Sequence, residues 1–571
     1  MRTDLTTLAA ALLPLGISCN YLPFISLVLY NAINSRADML PFYKNSLYSV
    51  DKRVEDFIKY ITIEEKAGQF FHFIISQGLF NKFTRGNSTD TMVRKMFITH
   101  FNLSGDLVNA TETAKFLNKV QERALQTRLG IPVTIFSDPR HNFTENLGTG
   151  FRAGAFSEWS ESLGLAAIRD PNLVRKFAEI AREKYLAVGI RAALHPQVDL
   201  ATEPRWARLG NIWGENATFI SEFLVEYIKS FQGEEIGPRN IITVTKYFPG
   251  GGPMENGEDL HFTYGKNQTY PGNNFNYHFI PFKAAIVTGA REKFGFEGIV
   301  VSDWGLITDG IILGQDISAR AWGVEHLSEL ERAAIILNAG GIISEERIDV
   351  SVRRFIREKF LFGLFDNPFI DAEAAAKLVG TEKYLRVGKD AQRRAYTLLT
   401  NKKKILPFKN ANAATKFYIE GFNATLFETR KFTVVKTPQE ADLAFFRLQA
   451  FYEPRPGGFK AIYHAGSLEF NATEKARQAV IYSAVPTVVD VILDRPAAIP
   501  EIFKGAAAVF GSFGNGSEAF LDIIFGQASP EGRLPFNLPR SQKAVEASRE
   551  DVPYDIKNPV FRFGDGLRYT Q

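Results

Sequence analysis

The sequence predicts two α/β domains, the first built on a parallel sheet, and three observations carry that prediction. The chain has 571 residues, more than one hydrophobic core usually organises. Between residues 130 and 305, short apolar runs alternate with longer amphipathic ones, the pattern of repeated βα units. After the break Asn367-Pro368 and a helical stretch over 371–400, a second alternating region begins.

In chain order, Asp51 to Lys66 carries Val54, Phe57, Ile58 and Ile61 at helical spacing, and Thr62-Ile63-Glu64-Glu65 reads as a capped helix start. Ile131 to Phe136 reads as a buried strand ending in Ser137-Asp138-Pro139-Arg140-His141. Pro171 to Leu186 is helical, with Leu173, Phe177, Ile180, Ala181 and Tyr185 on one face. A short strand Arg191 to Leu194 runs into His195-Pro196. A helix over Thr218 to Phe231 precedes a strand over Asn240 to Val244, which ends at Thr245-Lys246-Tyr247. Pro281 to Phe294 is helical, and Gly298-Ile299-Val300-Val301 reads as a strand ending at Ser302-Asp303-Trp304. Ile348 to Phe360 is amphipathic and basic. The second region has strand patterns at Phe417–Ile419, Phe432–Val435, Leu443–Phe446, Val488–Leu493 and Ala507–Phe510. Its helices fall at Thr473–Ser483 and Ser517–Phe525, which suits a three-layer α/β sandwich.

The strands of the first region end in charged or polar groups. In βα barrels and in doubly wound sheets alike, ligands meet the C-terminal strand ends. The pattern therefore favours an enzyme and leaves both folds open.

Composition narrows the function classes. The net charge is +4, with no basic stripe, so nucleic acid is not an expected partner. Lys402-Lys403-Lys404 reads as a solvated loop. One cysteine, Cys19, supports no disulfide framework, zinc site or thiol nucleophile. No metal and no cofactor is expected.

The N-terminus, Met1-Arg2-Thr3-Asp4 followed by an apolar stretch from Leu5 to Ile17, resembles a signal peptide. Pro14, Asn20 and Pro23 interrupt the apolar run to Tyr30, so no stable membrane span is expected. Nine Asn-X-Ser/Thr sequons, at Asn87, Asn102, Asn109, Asn142, Asn216, Asn267, Asn423, Asn471 and Asn515, fit a secreted protein. Asn142 adjoins a candidate site motif and is not expected to carry a glycan.

Several residues have the types and positions that chemistry requires. Asp303 closes an apolar strand pattern and is followed by Trp304, a flat wall for a sugar ring; a helix-capping Asp is the competing reading. Lys246 ends another strand pattern before Phe248-Pro249-Gly250-Gly251-Gly252, glycines that permit a tight backbone path against a ligand. No Lys-Ser/Thr follows them, so they are not a phosphate loop. Arg205-Trp206-Ala207-Arg208 offers two cations and a ring, although a surface ion-pair cluster fits as well. Glu258-Asp259-Leu260-His261 offers acids and an imidazole, without the ligand spacing of a metal site.

These motifs together resemble glycoside hydrolase family 3, from about Tyr43 to Thr570. The matching segments are Thr62–Gln69, Pro204–Arg208, Lys246–Gly251, Gly295–Trp304, Gly532-Arg533-Leu534-Pro535-Phe536 and Phe563–Tyr569, in the family's order. The resemblance implies a (β/α)8-type barrel followed by an α/β sandwich that completes the site. The implied layout is a leader over 1–40, the catalytic barrel over 41–370, a linker helix over 371–400 and the sandwich over 401–571. It implies a retaining exo-β-glycosidase acting on an oligosaccharide or glycoside, with β-glucosidase first and β-N-acetylglucosaminidase or β-xylosidase as alternatives. Asp303 matches the family's nucleophile. Asp138, Arg205 or Arg208, Lys246, Tyr247 and Trp304 match sugar-holding positions, and Lys246 with an arginine is expected to keep Asp303 ionised. Glu453, on the Gly/Pro-rich loop after Leu443–Phe446, fits the proton donor best; Glu469 fits less well, and Asp259 with His261 resembles the pair that serves in the N-acetylglucosaminidase branch.

Two departures stand out. Tyr247 replaces the family's usual His. Asn338-Ala339-Gly340-Gly341 runs almost directly into Ser344-Glu345-Glu346-Arg347-Ile348-Asp349, so a strand and helix of about 20 residues are expected to be missing from the end of the barrel. That loss motivates a third reading, an inactive carbohydrate-binding relative.

Overall fold

The computed structural model describes residues 41–77, 87–141, 150–248, 250–289, 298–312, 315–338 and 344–569. The expected leader, the sequon at Asn142 and the glycines at 340 and 341 lie outside these residues. Five parallel strands form the first sheet in the order β1-β2-β3-β4-β5: His72–Ser76, His100–Ser104, Thr134–Ser137, Ala192–Ala193 and Ile242–Thr243. Each crossover carries at least one helix. This is the βα arrangement that a parallel sheet imposes on its connections.

The helix Pro171–Val188 illustrates how the sequence sets these elements. The Asp170 side chain accepts a hydrogen bond from Leu173 N at 3.2 Å, Pro171 starts the first turn, and Gly189 ends the helix at φ +91°. Its face of Val174, Phe177, Ala178, Ala181 and Tyr185 packs into the core shared with Ile135, Phe223 and Tyr227. The cap at Thr62 forms a full capping box with Glu65, as the sequence predicts.

Two expectations change, and the expected loss of a strand and helix stands. Residues 298–301 form no strand, and Val300 and Val301 are 84% and 44% exposed. An apolar run becomes a strand only when a neighbouring strand takes its backbone groups. The only sheet after β5 in the described part of the first domain is the antiparallel pair β6, Gly310–Ile312, and β7, Gln315–Ile317. The helix read from Pro281 spans Phe275–Gly289, with Pro281 inside it, and residues 290–294 lie outside the described residues. The helix Glu329–Asn338 is followed, after residues 339–343, by the helix Glu345–Leu361, with no room between them for a strand and helix.

The second domain holds a six-stranded sheet in the order β10-β9-β11-β12-β13-β8, parallel except where β8 (Thr397–Asn401) meets β13. The other strands are β9 Lys416–Glu420, β10 Thr433–Val435, β11 Leu443–Gln449, β12 Thr487–Ile492 and β13 Ala508–Ser512. The helices Ala472–Ala484 and Ser517–Ile524 pack beside it. The two domains share one core, in which Leu163, Trp206, Leu209, Ile212 and Met254 of the first meet Val489, Phe513 and Leu534 of the second. Arg495 is fully buried at this boundary. Its guanidinium donates to the carbonyls of Arg205 at 2.9 Å and of Phe451 at 2.6 Å, fixing the loop after β11 over the first domain. No helix among the described residues is long and apolar enough to cross a membrane.

Candidate active site

The C-terminal ends of β2, β3 and β5 bring the first polar group together. Asp138, just past β3, accepts from Lys246 Nζ at 2.8 Å and from Asn102 Nδ2 at 3.0 Å. Burial pushes the Asp138 carboxyl up, but Lys246 outweighs it and holds the group below its ordinary range. Lys246 thus serves Asp138, whereas the sequence suggested that it would serve Asp303.

Asp303 has other partners. Its Oδ1 accepts from the backbone N–H of Trp304 at 2.7 Å and its Oδ2 from Arg320 Nη1 at 2.9 Å. The Nε2 of His261 lies 3.8 Å from the same Oδ2. Burial pushes the Asp303 carboxyl up, and Arg320, then His261, more than reverse this, so the group is held well below the usual carboxylate range. The Asp303 side chain is 21% exposed, so it remains open to a ligand.

The alternative pair, Asp259 and His261, is assembled beside it. His261 Nδ1 hydrogen-bonds Asp259 Oδ1 at 2.5 Å, and Asp259 Oδ2 accepts from Trp206 Nε1 at 2.9 Å. Burial pushes the His261 imidazole down, while Asp259 opposes that shift. Trp322 Nε1 donates to the Leu260 carbonyl at 3.1 Å and holds this turn.

The two arginines of Pro204–Arg208 part company. Arg205 is buried in a bidentate pair with Glu203, at 2.8 and 2.7 Å, which spends its fork on a neighbour two residues away. Arg208 lies 5.0 Å from the Tyr247 ring centroid and feels the charges of Asp259 and Asp303, so of the two it is the one that faces the site. The Tyr247 ring lies 6.5 Å from that of His261. Trp304 packs at 4.9 Å from the His72 ring, over Phe136, Ala192 and Leu194 at the end of the sheet.

From the second domain, the loop after β11 contributes Tyr463. It is buried, its ring lies 5.3 Å from that of His261, and it feels the charges of Asp259, Arg208, Arg320 and Asp303. Glu453, on the same loop, is exposed. Its backbone pairs with Ala465 and its carboxylate lies against Gly466, so it is not packed into the Asp303 cluster. Glu469 is engaged elsewhere, with Lys475 at 3.2 Å and Gln542 N at 2.7 Å.

The glycine run also has a different cause from the one expected. A Cβ at position 252 would sit 2.3 Å from the Leu200 carbonyl oxygen, and Gly251 N donates to buried Asp199. These glycines serve close packing of one chain segment on another. Arg320, Trp322 and Tyr463 were not singled out from sequence. Trp206 was, as the ring of Arg205–Arg208, but it holds Asp259 through its indole N–H.

Among the described residues no group of three metal-ligating side chains forms. The arrangement is an ionised, partly open carboxylate flanked by aromatic rings, with a second carboxylate–lysine pair nearby, which is equipment for gripping hydroxyls and attacking an electrophilic carbon.

Comparison with known proteins agrees. The family profile of the glycosyl hydrolase family 3 N terminal domain matches residues 62–291, and that of the C-terminal domain matches residues 429–569. Beta-glucosidase C of Emericella nidulans is 59% identical, over 94% of this chain and 95% of the relative. Probable beta-glucosidase C of Aspergillus flavus is 56% identical over 627 aligned positions, covering 100% of this chain and 98% of the relative. Set against 571 residues, that alignment leaves about 56 positions without a counterpart here. A solved β-glucosidase of Erythrobacter marinus superposes with a TM-score of 0.73 at 19% identity, over 93% of this chain and 84% of that one, a likeness of fold. With the ordered motifs, the two family domains and relatives of this identity, the chain belongs to glycosyl hydrolase family 3.

Proposed function

We propose that the chain is a retaining exo-β-glucosidase that removes terminal glucose from β-linked oligosaccharides, with Asp303 as the attacking carboxylate. The observation that carries this reading is the state of Asp303: ionised, gripped by Arg320 and the Trp304 amide, and still open at the mouth of the first domain. An Asp303 oxygen attacks the anomeric carbon and the glycosidic bond breaks. A second group protonates the leaving oxygen, then takes a proton from the water that releases the sugar. Relatives named β-glucosidase C, at 56–59% identity, support glucose as the sugar.

Purified protein and Asp303→Ala are to be assayed on aryl β-glucoside, β-xyloside and β-N-acetylglucosaminide. Turnover of the glucoside above the other two, lost in the variant, is expected. Equal turnover by both proteins refutes the role of Asp303. Sugar binding without turnover by folded protein points to an inert relative, an outcome motivated by the 56 positions that the longer alignment leaves unmatched.

From the sequence Glu453 is the first choice for the proton donor, but its exposed carboxylate lies against Gly466 and outside the Asp303 cluster. A retaining site separates its two carboxyl groups by about 5–5.5 Å, room for the bond between them. The His261 Nε2 lies 3.8 Å from Asp303, closer than that, which suits it to orienting the nucleophile. The second reading makes His261 with Asp259 the acid/base, and their hydrogen bond beside Asp303 favours it. With 2,4-dinitrophenyl β-glucoside, azide restores turnover in whichever variant, Glu453→Ala or His261→Ala, has lost that group.

The signal-peptide-like N-terminus and the nine sequons support a further part of the proposal, that the protein is a secreted glycoprotein. Asn109, Asn267, Asn423 and Asn471 are exposed, whereas Asn102 and Asn515 are buried with their amides donating to Asp138 and Gln392. Glycopeptide mapping of protein from a eukaryotic secretory host checks this. Occupancy of the exposed four is expected; glycan on Asn102, or on none of them, overturns it.

A further inference from the structure

We infer that Arg320 is a catalytic residue of this site, holding the attacking carboxylate in place and receiving it again as the leaving group of the second step. The inference rests on the reading of Asp303 as nucleophile. Arg320 reaches Asp303 from a different part of the chain, beyond β7, and its side chain is only 5% exposed. Three bonds wrap it around the turn that carries the nucleophile. Its Nη1 donates to Asp303 Oδ2 at 2.9 Å, its Nη2 to the Trp304 carbonyl, and its backbone N–H to the Gly305 carbonyl at 2.7 Å. The grip on Oδ2 and the Trp304 amide on Oδ1 together fix the plane of the carboxylate.

The groups facing Asp303 from the surrounding elements are His261 and Asp259, Arg208, Tyr247, and Tyr463 of the second domain. Lys246 is committed to Asp138. Arg320 is therefore the cation that hydrogen-bonds Asp303 among the described residues.

The chemistry assigns it a step. In the first step an Asp303 oxygen forms the ester bond to the anomeric carbon, the bond to the leaving oxygen breaks, and the acid/base supplies the proton. The carboxylate loses its charge, and Arg320 keeps its protons throughout. In the second step water attacks the same carbon while the acid/base takes its proton, the ester bond breaks, and the electron pair returns to Asp303. Charge now develops on the oxygen that Arg320 faces, so the guanidinium favours this transition state over the neutral ester. Without Arg320 the second step slows more than the first, and the glycosyl-enzyme accumulates.

The test uses the full chain, 2,4-dinitrophenyl β-glucoside, and the variants Arg320→Met and Arg320→Lys. Arg320→Met is expected to lower kcat about 100-fold, the scale of losing one donor to a developing charge. It is also expected to lower KM and to show a burst of dinitrophenol equal to the enzyme. The acid limb of kcat/KM should rise by about 1–3 pH units, because an opposite charge has been taken from the carboxylate. Arg320→Lys should fall between wild type and Arg320→Met. An unchanged acid limb and no burst in Arg320→Met overturns the inference. Should that variant fail to fold, the Lys variant decides by the same two readouts. Trapping wild type with 2,4-dinitrophenyl 2-deoxy-2-fluoro-β-glucoside separates the two levels: label on a residue other than Asp303 removes the nucleophile reading and this inference with it. Label on Asp303 with no Arg320 effect removes the inference alone.

Discussion

Two carboxylates at the mouth of the first domain, Asp138 and Asp303, are held below their ordinary ionisation range by different means. Asp138 follows a formed strand whose Ile135 is 1% exposed, and its partners come from the same sheet, Asn102 from the adjacent β2 and Lys246 from the segment just past β5. Asp303 follows an apolar stretch of the same appearance, yet Val300 there is 84% exposed and no strand forms. Its partners are Arg320 from beyond β7 and His261 from the loop after β5. A sheet supplies partners by register, so they can be anticipated from strand ends. A loop-built site supplies them by contacts that local pattern does not encode.

The comparison can be broken most sharply by activity. Asp303→Ala should lower kcat on an aryl β-glucoside by about 10⁴-fold or more, the cost of losing a covalent nucleophile. Asp138→Ala should lower kcat/KM by about 100-fold, since it loses hydroxyl contacts and frees Lys246. Equal losses would mean that the two carboxylates share one role.

Stability separates the two segments next. Ile135→Ala should cost about 2–5 kcal/mol in urea unfolding, the range for a buried aliphatic side chain. Val300→Ala should stay within about 0.5 kcal/mol, because its side chain is already in solvent. A large loss at Val300 would show that 298–301 packs as a strand in solution.

The smallest effect concerns acid. Both carboxyls are lowered on folding, so their contribution to stability is full above the ordinary value of 3.8 and fades as pH falls through the folded value. Asp138→Asn should therefore lose less stability than wild type as pH falls from 5 to 2 in acid unfolding. A parallel pH dependence would mean that Lys246 contributes no net pairing.

Much of this protein is legible in its sequence. The strands around 131–136, 191–194 and 240–244, the helices around 171–186 and 218–231, the cap at Thr62, and the polar residues at strand ends follow from periodicity and local bonding, which span only a few residues. So do Asp138, Lys246 and Asp303 as candidates. The tertiary structure decided the rest. It committed Arg205 to Glu203 and left Arg208 facing the site. It set Gly252 against Leu200 and Gly251 against Asp199, and placed Glu453 at the surface. It brought Arg320, Trp206 and Tyr463 around Asp303 and Asp259. Apart from the Arg205–Glu203 pair, these depend on which separate segments of the chain meet. A strand needs a neighbour to accept its backbone, and a charge takes its ionisation from whatever group folding sets beside it.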